Sequence, residues 1–217
     1  MLCVAGIGSM VFNRAIKTIH ERNLLLAVTI QMEPVFERWK YHFSSHHVMS
    51  CDGKPKLPQN YHPPSHITIQ RIDFENLADV LELDQKVSSL DRSHTFRSFL
   101  QSKNTICGLC ATQNGKFEGF AFLRKASADA LRLSAFYADS VEVAEALMFE
   151  LVKKHITEGC ELLCWFSIVN IDRCRRLYRR FGLDDPESQF RLMYSKEDAK
   201  VPWFKVYAIY EHYAYLV

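Results

Sequence analysis

The sequence has no strong excess of charge and no long apolar run. Its 217 residues include 27 Lys and Arg against 25 Asp and Glu, so the chain as a whole lacks the basic character that attracts nucleic acids or anionic membranes. No run approaches the roughly 20 apolar residues that a membrane-spanning helix needs. We therefore expect neither a nucleic-acid partner nor a membrane.

The amino-terminal segment lacks the features of a signal peptide. Residues 1–12 are largely apolar, but no basic region precedes them and no clear small-residue cleavage site is present. The seven cysteines are odd in number and do not have the spacing of a small secreted disulfide domain. The sequence predicts a reduced, intracellular and most simply cytoplasmic protein.

Cysteine spacing does not support a metal site. Cys107 and Cys110 lie on a predicted strand, where positions three apart face opposite sides of the sheet. They cannot converge on one ion from such positions. We expect them, like Cys160 and Cys164, to be free thiols that pack as small apolar groups, with no metal bound.

Proline is concentrated in one segment. Four of the seven prolines fall within residues 46–65, a composition that disfavours both helix and strand. We predict a linker here that separates residues 1–45 from residues 66–217. The first part has helix, strand and helix patterns, and about 45 residues cannot bury a stable core alone.

The second part alternates strand and helix patterns. Asn114-Gly115 between two strand patterns is typical of a hairpin turn. From Val143 to Val152, apolar residues recur at three- and four-residue steps, which predicts a long helix that starts at Asp139 or Ser140. The order is β-α-α-β-β-β-α-β-α-β-β, an α/β fold. The predicted strands are residues 66–72, 106–112, 117–123, 131–138, 162–169, 190–194 and 204–210.

Two segments carry motifs. NIDRCRRLYRRFGL (170–183) has Asn, a small residue four positions on, Leu-Tyr, and then Gly with an apolar residue. This pattern, with the order of elements, resembles the GNAT family of acyl-CoA-dependent N-acyltransferases. LSAFYADSVEVAEALM (133–148) is similar to the YitH/HolE-type subgroup. The resemblance covers residues 66–217 and implies a mixed, mostly antiparallel central sheet flanked by helices.

The resemblance also implies a chemistry. An acetyl group would pass from acetyl-CoA to the amine of a small molecule or protein by direct attack, which depends mainly on positioning. Tyr178 stands where the family has its proton donor to the CoA thiolate. The pantetheine arm of CoA would lie in an open V-shaped gap between strands 131–138 and 162–169. The implied cofactor contacts are Phe136, Tyr137, Ala138, Ala144, Asn170, Gly6 and Gly8.

Residues 1–45 resemble the back half of a second GNAT domain. CVAGIGSMVFNRAI (3–16) is similar to the pyrophosphate turn and contains Gly6 and Gly8. LLLAVTIQMEPVFERW (24–39) is similar to the strand and helix that follow it, with Phe36 in place of the usual Tyr. Phenylalanine cannot donate a proton, so residues 1–45 keep the pyrophosphate turn but lack a proton donor.

The turn at the start of the long helix departs from the family pattern. Asp139 stands at the usual Arg or Gln, and Glu142 at the first Gly. At about 4 Å from a diphosphate, each carboxylate costs on the order of 1 kcal/mol in water and roughly 4 kcal/mol at an intermediate dielectric. Acidic residues in a first turn do stabilise the helix itself.

Several interpretations therefore stay open. Tyr178 is either a proton donor or a packed core residue, and Asn170 either a pantetheine ligand or a helix cap. The arginines of residues 173–180 either attract an anion or form a solvated helix face. The whole domain is either an acetyl-CoA-dependent N-acetyltransferase or a catalytically inactive GNAT-fold module that binds a small ligand or protein partner.

Overall fold

The computed structural model describes residues 10–11, 13–14, 17, 25–37, 42–88, 91–126, 130–197 and 200–209. Its strands are β1 (Leu25–Val28), β2 (His42–Gly53), β3 (Ile67–Arg71), β4 (Thr105–Gln113), β5 (Lys116–Lys125), β6 (Ala130–Ala138), β7 (Glu161–Ser167), β8 (Glu187–Tyr194) and β9 (Val206–Ala208). Its α-helices are α1 (Glu33–Glu37), α2 (Leu77–Ser88), α3 (Ser93–Gln101), α4 (Val141–His155) and α5 (Ile171–Arg180). Short 3-10 turns occupy Ile30–Met32, Ile168–Asn170 and Trp203–Lys205.

All nine of these strands belong to one sheet. Their order is β1-β8-β2-β7-β6-β5-β4-β3, and β9 pairs with β6. Only the β6–β7 pairing is parallel among the strands described. The mixed, mostly antiparallel sheet flanked by helices that the family resemblance implied is confirmed.

Local sequence determines where several elements begin and end. Asn114 and Gly115 have φ angles of 52° and 78°, the left-handed pair that a two-residue type I′ hairpin needs, and they connect β4 to β5. The Ser140 side chain accepts a hydrogen bond from the Val143 amide at 3.2 Å and so caps α4. Asp91 accepts one from the Ser93 amide at 2.9 Å at the start of α3.

The sheet separates two apolar cores. Helices α4 and α5 cover one face with residues such as Leu147, whereas α2 and α3 cover the other, where the rings of Phe96 and Phe122 lie 5.5 Å apart. Cys107 and Cys110 are buried in different cores, as positions three apart on a strand require. Across the described residues, no set of three His, Cys, Asp or Glu side chains is arranged to hold a metal ion.

Strand β2 was not predicted, and part of the predicted linker is therefore wrong. Residues 46–53 belong to this strand, which lies between β7 and β8 and is antiparallel to both. Every proline of the 46–65 segment comes after Gly53, so β2 keeps all the amide donors that a central strand needs. Residues 54–65 contain no helix or strand, as the prolines predict. None of the helices described is both long enough and apolar enough to span a membrane.

Candidate functional site

Strands β6 and β7 begin side by side and then separate. They pair in parallel only where residues 130–132 face residues 161–163. A bulge follows in β6, because Ala135 and Phe136 together face the single residue Ala121 of β5. Ala135 has a φ of 51°, and a bulge bends its strand. The two strands therefore diverge where the GNAT resemblance implies the acyl-CoA gap.

The gap is filled by residues 206–209 of the same chain. On one side, Phe136 and Tyr137 pair antiparallel with β9. On the other side, the Ile209 amide donates a hydrogen bond to the Trp165 carbonyl of β7 at 2.7 Å. Strand β9 thus joins the two diverging strands, and the expectation of an open V-shaped gap is wrong for this structure.

Three side chains of the α5 motif contact the backbone of β9. The Asn170 side-chain amide donates to the Val206 carbonyl at 2.9 Å, and the Tyr178 hydroxyl donates to the Tyr207 carbonyl at 2.6 Å. The Cys174 thiol lies 3.9 and 3.7 Å from the same two carbonyl oxygens. These side chains are four residues apart and share one helix face, so the face of α5 that carries the family motif lies along β9. Asn170 precedes α5 but forms no side-chain cap.

The contact between Tyr178 and β9 is shielded from water. Tyr178 and Tyr207 are 0% exposed and Asn170 is 3% exposed. Burial, reinforced by the neighbouring thiols led by Cys164, raises the pKa of the Tyr178 phenol well above its usual value. The phenol therefore keeps its proton at ordinary pH, so it can donate a hydrogen bond or act as an acid. In this structure it donates to a backbone carbonyl.

The acidic turn before α4 is opposed by a lysine from the segment that leads into β9. The Lys205 ammonium lies 2.7 Å from a carboxylate oxygen of Asp139, and both side chains are largely buried, with 28% and 23% exposure. Glu142 is 63% exposed and lies 3.9 Å from the His66 ring. One of the two carboxylates that disfavour a diphosphate thus anchors the C-terminal segment.

The other predicted cofactor contacts have less accessible positions. Ala138 is buried at the end of β6. Ala144 is buried in the first turn of α4, and its amide already donates to the Ser140 carbonyl at 3.1 Å, so it is not free for a phosphate. Gly6 and Gly8 lie outside the described residues.

A buried ion pair behind β6 was missed by sequence reasoning. Asp84 of α2 and Arg92 before α3 form this pair, with side-chain exposures of 1% and 6%, and Arg92 also donates to the Tyr137 hydroxyl at 2.8 Å. Burial raises the pKa of Asp84, and the hydrogen bond from Arg92 opposes that rise. The pair ties α2 and α3 to the bulged strand. The only local signal was an aspartate between Leu83 and Val87 on an apolar helix face.

Comparisons with known proteins agree with the architecture. A family model described as an acetyltransferase (GNAT) domain matches residues 80–200, more than half of the chain. No curated protein matches it significantly. At identities this low, the solved structures that resemble it demonstrate a shared fold only. One is a Pyrococcus horikoshii protein assigned as an acetyltransferase, with a TM-score of 0.72 and 16% identity over 97% of this chain and 67% of that one. A second is a GCN5-related N-acetyltransferase of Sphaerobacter thermophilus, with a TM-score of 0.64 and 13% identity over 95% of this chain and 72% of that one. A third is a tandem GNAT protein from the clavulanic acid biosynthesis pathway, with a TM-score of 0.58 and 12% identity over 91% of this chain and 73% of that one. The matched domain, the splayed β6–β7 pair and the α5 motif agree with one another, and the chain belongs to the GNAT acetyltransferase family.

Proposed function

We propose that this GNAT domain works as a binding module without acetyl-CoA, and that its own strand β9 takes the place of the cofactor. The observation that carries the proposal is the position of residues 206–209 between β6 and β7. The carbonyls of this segment accept hydrogen bonds from Asn170 and Tyr178, the two side chains that the family resemblance assigns to cofactor and catalysis. A pantetheine arm and β9 cannot occupy this space together.

The seating of β9 buries side chains and pairs polar groups, and an entering cofactor would have to replace these interactions. Val206, Tyr207 and Ile209 are 0%, 0% and 1% exposed, and burying each such side chain contributes about 1.5–3 kcal/mol. Removing β9 would also leave buried polar groups unpaired, at about 1–3 kcal/mol each. A micromolar ligand binds with only about 8 kcal/mol. Fixing the backbone of four residues costs about 1–2 kcal/mol each, and acetyl-CoA would have to supply what remains of these gains in order to displace the strand.

Electrostatic interactions also oppose the displacement of β9 by acetyl-CoA. The Lys205 ammonium offsets the charge of Asp139 only while the C-terminal segment is seated. If that segment left the groove, Lys205 would leave with it and Asp139 would face the incoming diphosphate alone. The cofactor would thus have to displace β9 and then bind beside an unopposed carboxylate.

Isothermal titration of the wild-type chain tests the proposal. The matched control ligand is 3′-phosphoadenosine 5′-diphosphate, which has all three phosphates of the CoA nucleotide but no pantetheine arm. We expect acetyl-CoA to bind no better than this control at up to about 1 mM, the upper end of ordinary KM values. An affinity for acetyl-CoA at least about tenfold higher, a difference of about 1.4 kcal/mol, would mean that the arm enters the groove and would overturn the proposal.

A second candidate function is N-acetyl transfer after β9 leaves the groove. It is favoured by the retention of a protonated Tyr178 and of Asn170 on the groove-facing side of α5. Acetyl-CoA would then acylate an amine of a small molecule or protein, and Tyr178 would donate a proton to the departing thiolate. Wild-type turnover of acetyl-CoA with a panel of amines, lost in the Tyr178→Phe variant, would support this function over the first.

A further inference from the structure

Helix α5 carries five arginines within its ten residues, and the fold supplies partners for three of them. Arg179 lies 2.5 Å from Asp185, and Arg180 lies 2.5 Å from Glu145 of α4. Arg173 donates to a backbone carbonyl in the turn before β9 at 3.2 Å. These three guanidinium groups are accounted for by the folded chain itself.

Arg175 and Arg176 differ from the other three. Within the part of the chain that the structure describes, neither has a carboxylate at ion-pair distance. The Nε of Arg175 is shielded from solvent and has no hydrogen-bond acceptor among these residues. The field of Arg175 does reach Asp185, whose pKa is lowered chiefly by its hydrogen bond from Arg179. A shielded guanidinium nitrogen without an acceptor indicates a place for an external anion.

The two arginines lie in a concave part of the surface. A depression of about 650 Å³ between α4 and α5 is lined by Glu145, Asp172, Arg175, Arg176, Arg179 and Arg180. Four guanidinium groups against two carboxylates leave a net charge of +2 in this lining, or +1 when Asp185, the partner of Arg179, is counted with them. Arg175 and Arg179 lie four positions apart on the helix, as do Arg176 and Arg180, and like charges at this spacing repel one another. One wall is held in place by Tyr61, whose ring lies 4.7 Å from the Arg180 guanidinium.

We propose that this depression binds a phosphate group between Arg175 and Arg176. The planar fork of a guanidinium group matches the paired oxygens of a phosphate. A phosphate monoester carries nearly two negative charges at neutral pH, which would offset the positive charge of the lining. The arginines lie on the face of α5 directed away from the side chains that hold β9. The site therefore does not require an open groove, and it would give the proposed binding module a ligand.

Pyrophosphate is the direct probe of the site. Inorganic pyrophosphate is titrated into isotopically labelled protein at about 0.15 M ionic strength, where the Debye length is about 8 Å, and the arginine Nε–H signals are followed by NMR. We expect a saturable shift of the Arg175 signal. The double variant R175Q/R176Q should weaken binding by about tenfold or more, because it removes two charged donors.

The matched control is R97Q/K103Q, which removes the same net charge from two exposed positions, one on α3 at the other face of the sheet and one in the turn that follows α3. This variant should change the pyrophosphate affinity less than about twofold, since exposed charges beyond a Debye length are largely screened. Thermal unfolding of both double variants checks that they fold. Absence of saturation in the wild type, or equal weakening in both variants, would overturn the site.

Titrations with two further ligands identify the source of the phosphate. One is a neutral peptide with a single phosphoserine, with its unphosphorylated form as control, and the other is adenosine 3′,5′-bisphosphate. Tighter binding of the phosphopeptide would point to a phosphorylated protein, and tighter binding of the nucleotide to a free phosphate ester. Both results support the site, and both are independent of whether acetyl-CoA enters the groove.

Discussion

Replacing Tyr207 by alanine is expected to lower the free energy of unfolding by about 3–5 kcal/mol, as for other large aromatic side chains removed from a core. Tyr207 is 0% exposed, and its ring packs at 5.4 Å against that of Phe136 in β6. The substitution leaves a cavity between β6 and α5 where the strand is seated. Urea denaturation of the variant and the wild type measures the difference.

The same segment supplies the control. Phe204 precedes β9 and is 50% exposed, so Phe204→Ala should change the free energy of unfolding by less than about 0.5 kcal/mol. The contrast between two aromatic residues three positions apart reports whether β9 belongs to the core. If both substitutions proved equally mild, β9 would not be seated in the groove, and the basis of the proposed function would be lost.

The second large effect is a loss of folding stability at alkaline pH. Burial raises the pKa of Cys51 and of Cys107 from 9.0 to about 12, and it raises the pKa of Cys164 and of Cys174 well above 9.0. In the unfolded chain these thiols lose their protons near pH 9, whereas in the folded chain they keep them. Between about pH 9 and 12 the unfolded state therefore binds fewer protons, and stability falls as the pH rises.

The size of this fall follows from the number of thiols. Each thiol contributes up to about 1.4 kcal/mol per pH unit in this interval, so four contribute on the order of 5 kcal/mol per unit. A typical domain has only about 5–15 kcal/mol in total. We expect the free energy of unfolding, measured in urea at a series of pH values, to be unaffected by these thiols below pH 8 and to fall steeply above pH 9.

A cysteine variant separates the thiols from other titrating groups. Cys107→Ala removes one buried thiol, so the slope above pH 9 should decrease by about one proton, or roughly 1.4 kcal/mol per pH unit, whatever the variant's stability at neutral pH. A stability that stays constant up to pH 10.5 would show that these thiols are accessible to water and would contradict the burial described for them.

Most of the elements could be predicted from the sequence because their signals are local. The hairpin at Asn114-Gly115 and the cap at Ser140 each depend on a few consecutive residues. Strand β2 was missed because its place in the sheet comes from pairing with β7 and β8, which lie far away in the chain. The prolines that follow it led to a linker boundary placed too early.

The site was predicted in part. The motif at residues 170–183 identified Asn170 and Tyr178 as candidate functional residues, but it could not indicate what they bind. Their partners are carbonyls of β9, 36 and 29 residues further along the chain, and no local pattern determines which strand enters the gap. The partner of Asp139 could not be predicted for the same reason, since Lys205 meets it only through the folding of the C-terminal segment.

Some expectations stay predictions. These are the YitH/HolE-type subgroup, the back half of a second domain in residues 1–45, the proton-donor role of Tyr178 and the acceptor amine. The Gly6-Ile7-Gly8 turn lies outside the described residues, so the structure gives no geometry for it. A functional role for that turn has to be tested separately from the groove between β6 and β7.

Hydrogen exchange at the Ile209 amide tests most directly whether β9 has replaced the cofactor. This amide donates to the Trp165 carbonyl across the gap, and it can do so only while β9 is seated. A filled groove predicts that Ile209 exchanges as slowly as core amides, and that about 1 mM acetyl-CoA, the upper end of ordinary KM values, leaves this rate unchanged. Rapid exchange in the free protein, or loss of protection when acetyl-CoA is added, would contradict it.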